Sequence, residues 1–243
     1  MIRAHLATFP PRREILVETL ESLSSQVDAV FVCLNEYSAI PDELSQFSNV
    51  HPFIPDSDLK DAGKFAPEVQ PDDTVFTCDD DILYPPTYVQ DTIEHLETLG
   101  AKGTIVGYQG NTWKYKKRQA QYGWQNHIFK KSLKKMTQVD VLGTGTACMM
   151  GTSYPSLSEV RSAAGFIDYR FGRIQTSLKR EMWALPREEG YLVLNLPESL
   201  KPSSLFETVN RNPSIIVHEE FQLLMREGPL LRQTSSPQPV VAQ

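Results

Sequence analysis

Cysteine is scarce: Cys33, Cys78 and Cys148 are the only three in 243 residues, far apart and in no CxxC pairing. That number and spacing exclude a disulfide framework and make a zinc site untenable; three small buried hydrophobes in a reducing compartment are expected. Long apolar runs are missing too, and nothing approaches the ~20 consecutive residues a membrane span needs. The N-terminal MIRAHLATFPPRR has no basic stretch leading into an apolar one, so no secretory leader is expected and the protein reads as cytoplasmic. There is no internal repeat. With 40% hydrophobic and 22% charged residues, the bulk of the chain cannot be disordered or coiled-coil.

What is present is an alternation of short apolar runs and helical stripes. Residues 2–8 form an apolar run ending at Pro10-Pro11, and Ile15, Leu16, Thr19, Leu20 and Leu23 then recur on one helical face. Buried strands are predicted at 28–35, 49–54, 74–78 and 103–108. A helix starting at Pro85-Pro86 carries Val89, Ile93, Leu96 and Leu99 and stops at Gly100. This pattern predicts an α/β fold with a mainly parallel central sheet flanked by helices. Functional residues should then gather at the carboxyl ends of the strands, where Thr8, Asn35 and Asp79 to Asp81 fall. The second half is less regular. A strand pair is predicted at 139–143 and 146–150 around Gly143-Thr-Gly-Thr146, a helix at 168–182, a strand at 191–195 and a last helix or strand at 214–226. The Pro/Ser/Gln-rich residues 233–243 are expected to be disordered.

Asp79-Asp80-Asp81 follows a buried strand without a break. Three adjacent carboxylates repel one another and call for solvent or cations, and Mg²⁺ or Mn²⁺ commonly binds through one or two carboxylates plus phosphate oxygens. A solvated acidic turn is the bland alternative. The chain has no dinucleotide-binding glycine fingerprint, which rules out a Rossmann dehydrogenase. It also has no glycine in the Pro10-Pro11-Arg12-Arg13 loop after the first strand, which disfavours a nucleotidyltransferase.

Four segments in order, Ala7-Thr-Phe-Pro10, Val30-Phe-Val-Cys-Leu-Asn35, Asp58-Leu-Lys-Asp-Ala-Gly-Lys64 and Thr77-Cys-Asp-Asp-Asp-Ile-Leu-Tyr-Pro85, resemble GT-A-fold glycosyltransferases, particularly the family 2 group. The resemblance covers about the first 110 residues and continues more weakly through Gly143-Thr-Gly-Thr-Ala147 and the Asp168 region. It implies one domain over 1–232, with a nucleotide-sugar-binding half (1–110) and an acceptor-side half (111–232). It also implies that Thr8, Phe9 and Asn35 line the base and ribose, that Asp61 and Lys64 approach base and diphosphate, and that Asp79 and Asp80 face the donor. Asp81, with Asp79, would hold Mn²⁺ or Mg²⁺, and His218 would complete the metal shell. Many relatives carry Asp where this chain has Asn35. Asp168, in Gly165-Phe-Ile-Asp-Tyr-Arg-Phe171, would be the general base, although it lacks the neighbouring acid of many relatives and would serve equally as a helix cap. Gly143 and Thr144 would approach the acceptor or form a tight turn.

Residues 98–139 contain none of the 30 acids and nine of the 24 Lys and Arg. Trp113, Lys114, Trp124, Lys130 and Lys131 lie among them, with Tyr108, Tyr115, Tyr122 and Phe129 interleaved. A charge run is ordinarily a solvated loop; this density of rings instead suggests an anionic acceptor drawn by the lysines while sugars or bases stack on the rings. A glycan or glycolipid is the first expectation and a hydroxymethylated base in DNA the second. A non-catalytic polyanion-binding protein on the same scaffold is the competing class.

Overall fold

The computed structural model describes residues 1–116, 118, 121–204 and 219–224. In chain order the elements are β1 (Ile2–Thr8), α1 (Arg13–Leu23), β2 (Ala29–Leu34), β3 (Val50–Phe53), β4 (Thr74–Cys78), β5 (Ile82–Leu83), α2 (Tyr88–Leu99), β6 (Thr104–Gly107), β7 (Gly110–Lys116), β8 (Gln121–His127), β9 (Thr137–Gln138), β10 (Val141–Leu142), β11 (Thr146–Met150), α3 (Leu157–Val160), α4 (Ile167–Ser177), β12 (Glu181–Ala184) and β13 (Val193–Leu194). Residues 219–224 are helical, while the rest of the 214–226 expectation, His218 and the 233–243 tail lie outside the described residues.

The main sheet has eight strands in the order β3-β2-β1-β4-β11-β6-β12-β9. β3, β2, β1 and β4 run parallel, β11 is antiparallel to both β4 and β6, and β12 is parallel to β6. After β1 the chain winds outward through β2 and β3, then returns to place β4 on the other side of β1. The strand order therefore reverses between β1 and β4, and the crevice outside their carboxyl ends is where such sheets bind ligands. Thr8 ends β1 and Asp79 follows β4, so both flank that crevice.

The predicted stripe of α1 is the one it buries: Ile15, Leu16, Thr19, Leu20 and Leu23 pack inward. Each fully buried Leu contributes about 1.5–3 kcal/mol, and Leu16 and Leu20 join Leu6, Val30 and Phe76 in one apolar cluster. A second cluster on the other face of the sheet joins Phe65, Met149, Ile167 and Phe171 and seats α4. Alternation along β11 explains the division, since Cys148 faces the first cluster while Ala147 and Met149 face the second.

Three expectations need correction. Residues 141–142 and 146–150 are strands but do not pair: β10 joins β7 in a separate antiparallel sheet with β8, while β11 enters the main sheet. Local strand propensity is blind to which neighbour a strand finds. The helix predicted to reach Met182 ends at Ser177, where Lys179 adopts φ 57° and the chain turns into β12. Tyr108 and Phe129, read among the ligand-facing rings, are core residues exposed by only 1% and 8%.

Candidate active site

The acidic loop is held from three directions. Thr19 Oγ1, on the buried face of α1, donates to the Asp80 carbonyl at 2.9 Å. Asn195 N donates to the Asp81 carbonyl at 2.7 Å as β13 pairs with β5. Tyr84 OH donates to the Gly145 carbonyl at 2.9 Å and accepts from Asp79 N at the same distance. Gly145 leaves room for the Asp79 carboxylate, which a Cβ there would displace. The Gly143-Thr-Gly-Thr146 segment thus supports the acidic loop.

Each of the three acids meets a cation. Asp79, the most exposed of them, is ion-paired with Lys64 Nζ. Arg12 Nη1 bridges the other two, contacting Asp80 Oδ1 and lying 3.1 Å from Asp81 Oδ2. Burial pushes the Asp81 carboxyl up to about 7, with Asp79 and Asp80 adding to it and Arg12 and Lys64 opposing. Burial also raises Asp80 against the pull of Arg12. Arg12 was absent from the sequence-based site; the signal that could have found it is Pro10-Pro11, which sets the turn 10–12 just after β1, together with the need of three acids for cations.

Lys64 is the centre of the arrangement. Burial alone would lower its pKa, but Asp79, Asp61 and Asp168 outweigh it and keep the ammonium charged. Its carbonyl accepts from Tyr154 OH at 2.7 Å and lies 3.1 Å from His5 Nδ1. Burial drives that imidazole down to about 3, so His5 is neutral. Gly63 lets this segment reach β2, since a Cβ there would collide with Cys33 Sγ.

Two cavities meet at the Lys64–Asp79 pair. The first, about 390 Å³, is lined by Thr8, Phe9, Arg12, Asn35, Asp61 and the three acids, with Lys60 and Ser204 at its margin. Asn35 lies in this wall with its amide engaged by main chain: Nδ2 donates to the Lys60 carbonyl at 3.0 Å and Oδ1 accepts from Leu59 N at 2.8 Å. It ties the 59–65 loop to the end of β2. Asp61 is likewise engaged, accepting from Gly165 N at 2.5 Å and Ile167 N at 3.3 Å at the entry to α4. Burial raises its pKa to about 6 against these hydrogen bonds.

The second cavity, about 300 Å³, adds Gln109, Asn111, Thr144, Phe166, Asp168 and Tyr169 to Asp61, Lys64 and Asp79. Asp168 sits in the first turn of α4, whose N-cap is Phe166, so the capping role is not its own. Its Oδ1 accepts from Thr144 N at 2.8 Å and Thr144 Oγ1 at 2.7 Å. Burial raises its pKa despite those bonds and Lys64. Gly143 lies behind this wall, its N–H on the Gln109 carbonyl at 2.9 Å.

The basic aromatic stretch is a hairpin. Trp113 and Trp124 are directly opposed on β7 and β8, their rings edge to face at 5.0 Å, and Phe221 packs against both at 5.7 and 5.8 Å. These rings pack on protein. Lys114, Lys130, Lys131, Lys134 and Lys135 are exposed and line neither cavity.

Among the described residues no three His, Cys, Asp or Glu side chains converge into a ready metal site. The donors nonetheless suit a hard divalent ion completed by substrate. Asp79 and Asp81 offer carboxylate oxygens beside one cavity, the donor type such ions prefer.

No family model matches the chain, and no curated protein matches it. Among solved structures, residues 1–349 of S. aureus TarS align over 94% of this chain and 81% of that one, at 11% identity and TM-score 0.50. The fold is GT-A-like. Two further likenesses are a nucleotidyl transferase from Methanothermobacter (96% and 99% covered, 12% identity, TM-score 0.47) and TarS 1–349 in complex with UDP-GlcNAc (93% and 70%, 9%, 0.48). In this GT-A-like frame the first cavity occupies the switch point between β1 and β4, and the second opens beneath α4.

Proposed function

We propose that the protein is a glycosyltransferase moving a sugar from a nucleoside-diphosphate sugar to an acceptor hydroxyl, with Mg²⁺ or Mn²⁺ held by Asp81 and Asp79. The observation that carries this reading is the junction of two cavities at one ion pair, buried Lys64 with the more exposed Asp79, with cations on the first side and Asp168 on the second. A donor in the first cavity and an acceptor in the second would present the bond to be broken at that boundary.

The divalent ion, when bound with the donor, supplies Lewis-acid screening of the departing diphosphate. The remaining work falls to the chain. Thr8, Phe9 and the loop tied by Asn35 form the wall for base and ribose. Lys64, charged and excluded from water, stabilises the negative charge that grows as the bond from the anomeric carbon to the diphosphate oxygen breaks. The electron pair of that bond leaves on the diphosphate. The acceptor oxygen forms the new bond, and its proton passes to Asp168, held in place by Thr144. A carboxyl raised by burial is better matched to neutral pH as a general base than an ordinary aspartate.

Asp61, Asp79 and Asp168 face the second cavity, and among the described residues Lys64 is the one cation in its lining. A phosphate or carboxylate there would meet three like charges, so the reacting hydroxyl arrives on an uncharged, sugar-like group within reach of Gln109 and Asn111. The exposed lysines of 130–135 would hold anionic groups elsewhere on a glycan or glycolipid acceptor.

The test is turnover of UDP-, GDP-, ADP-, CDP- and dTDP-sugars with Mn²⁺. Slow release of free nucleoside diphosphate from one of them, accelerated by acceptor, is expected. Release of pyrophosphate from a nucleoside triphosphate and sugar phosphate would make it a nucleotidyltransferase instead, and release of neither product would leave the non-catalytic polyanion-binding protein.

A further inference from the structure

Arg12 already pairs with Asp81, the residue proposed above to hold the divalent ion. Its side chain is 11% exposed and the side chains of Asp80 and Asp81 are 3% and 12% exposed, so the cluster is withdrawn from solvent. With Asp79 paired to Lys64, three carboxylates already face two resident cations. A divalent ion added to Asp81 with nothing else moved would stand beside the guanidinium, and like charges at that separation repel strongly in so poorly solvated a place. Arg12 has unused capacity: its Nε is buried without a hydrogen-bond partner among the described residues, as is Asp80 Oδ2. The guanidinium lies over the Phe9 ring, 5.5 Å from its centroid, on the wall of the first cavity. A planar fork with an unpaired donor, on the wall of a cavity of about 390 Å³, suits bidentate contact with phosphate oxygens once it turns toward that cavity.

We infer that Arg12 is a resident counter-cation that keeps Asp81 closed to divalent metal until a nucleoside diphosphate enters, and then turns its free donors to the diphosphate while staying anchored on Asp80. The inference rests on the donor-site reading above. The contact to be released is the longer one, to Asp81 at 3.1 Å. Metal and diphosphate then bind with positive coupling, because each removes the charge imbalance that the other creates.

The experiment is Mn²⁺ binding, followed by electron paramagnetic resonance of free Mn²⁺ without nucleotide, beside binding of UDP, GDP, ADP, CDP and dTDP in excess EDTA. Wild-type protein should bind Mn²⁺ only at millimolar concentrations. Arg12→Gln should tighten Mn²⁺ at least about tenfold and weaken the metal-free diphosphate about tenfold, one decade in each constant. A purely structural arginine would lower the melting temperature and weaken both ligands, so the opposite signs are diagnostic. Arg12→Lys, which keeps the charge, should restore exclusion of Mn²⁺. Unchanged or weaker Mn²⁺ binding by Arg12→Gln overturns the inference. Should that variant not fold, micromolar Mn²⁺ binding by nucleotide-free wild type overturns it equally, and millimolar binding that tightens on adding diphosphate supports it. Tight Mn²⁺ binding by Arg12→Gln, with no turnover of any nucleotide-sugar by the wild-type protein, would uphold the inference and sink the proposed activity, so the two failures are distinguishable.

Discussion

The two cavities share one ion pair but hold their acids differently. In the first, Asp80 and Asp81 are neutralised by a side-chain cation, Arg12. In the second, Asp61 and Asp168 are fixed by backbone N–H groups and a threonine hydroxyl. A guanidinium on a flexible stem can be exchanged for another cation, whereas hydrogen bonds from Gly165, Ile167 and Thr144 are part of the fold. The difference suits a donor side whose charge must be re-partnered on binding and an acceptor side whose base must stay in position.

A large effect is expected where the donor side is broken. Asp81→Ala should remove metal-dependent stabilisation by donor, which for wild type amounts to about 2.7 kcal/mol at a ligand concentration 100 times the dissociation constant. Nucleotide-free stability should hold or rise, because the lost carboxyl is one that Asp79 and Asp80 repel. Thermal melts with donor and Mn²⁺ check both signs; retained metal-dependent stabilisation would remove Asp81 from the metal site.

On the acceptor side, Asp168→Asn should keep donor affinity and lose about 10²–10⁴-fold in transfer rate. Wild-type transfer should rise with pH through the raised pKa of Asp168, and the variant should lose that limb. Early melting with normal turnover would make Asp168 a strut for Thr144.

A smaller effect separates the sides by pH. Asp81 has a native pKa of about 7, far above its unfolded value, so the protonated form favours the fold and its contribution fades as pH climbs through 7. Asp61 acts in the same sense through about 6. The neutral, buried His5, lowered to about 3, works oppositely but only below the unfolded imidazole value of about 6.5. In EDTA the wild-type melting temperature should therefore fall between pH 6.5 and 8, and Asp81→Ala should flatten that fall. Equal slopes would mean Asp81 ionises normally.

The smallest effect lies outside both cavities. Neutralising Lys130, Lys131, Lys134 and Lys135 together should raise the acceptor KM and flatten its salt dependence, leaving kcat and donor affinity unchanged. An unaltered KM would make the segment a solvated surface.

The parallel half of the sheet was legible because its strands are continuous apolar runs and α1 carries a clean stripe, Ile15 to Leu23, so local pattern and tertiary placement agree. The acidic loop was legible for the same reason: Asp79 follows a buried strand directly. The hairpin was harder to read because Trp113 and Trp124 look alike in sequence whether they stack on a ligand or on each other; the structure packs them on each other and on Phe221, about a hundred residues on. Asn35 and Asp61 line the first cavity, and sequence could not show that their polar atoms are engaged by the backbone of residues 59–60 and 165–167.

Composition and periodicity alone determined the α/β class, the strand-end positions of Thr8 and Asp79, and the excess of negative charge there, because all three depend on residues close together in the chain; that the two ends flank a switch point follows only from the strand order. Only the tertiary structure decided what neutralises that charge. Arg12 and Lys64 reach it from separate loops, and Thr144 fixes Asp168 from 24 residues away. Such pairings are set by how strands cross in space.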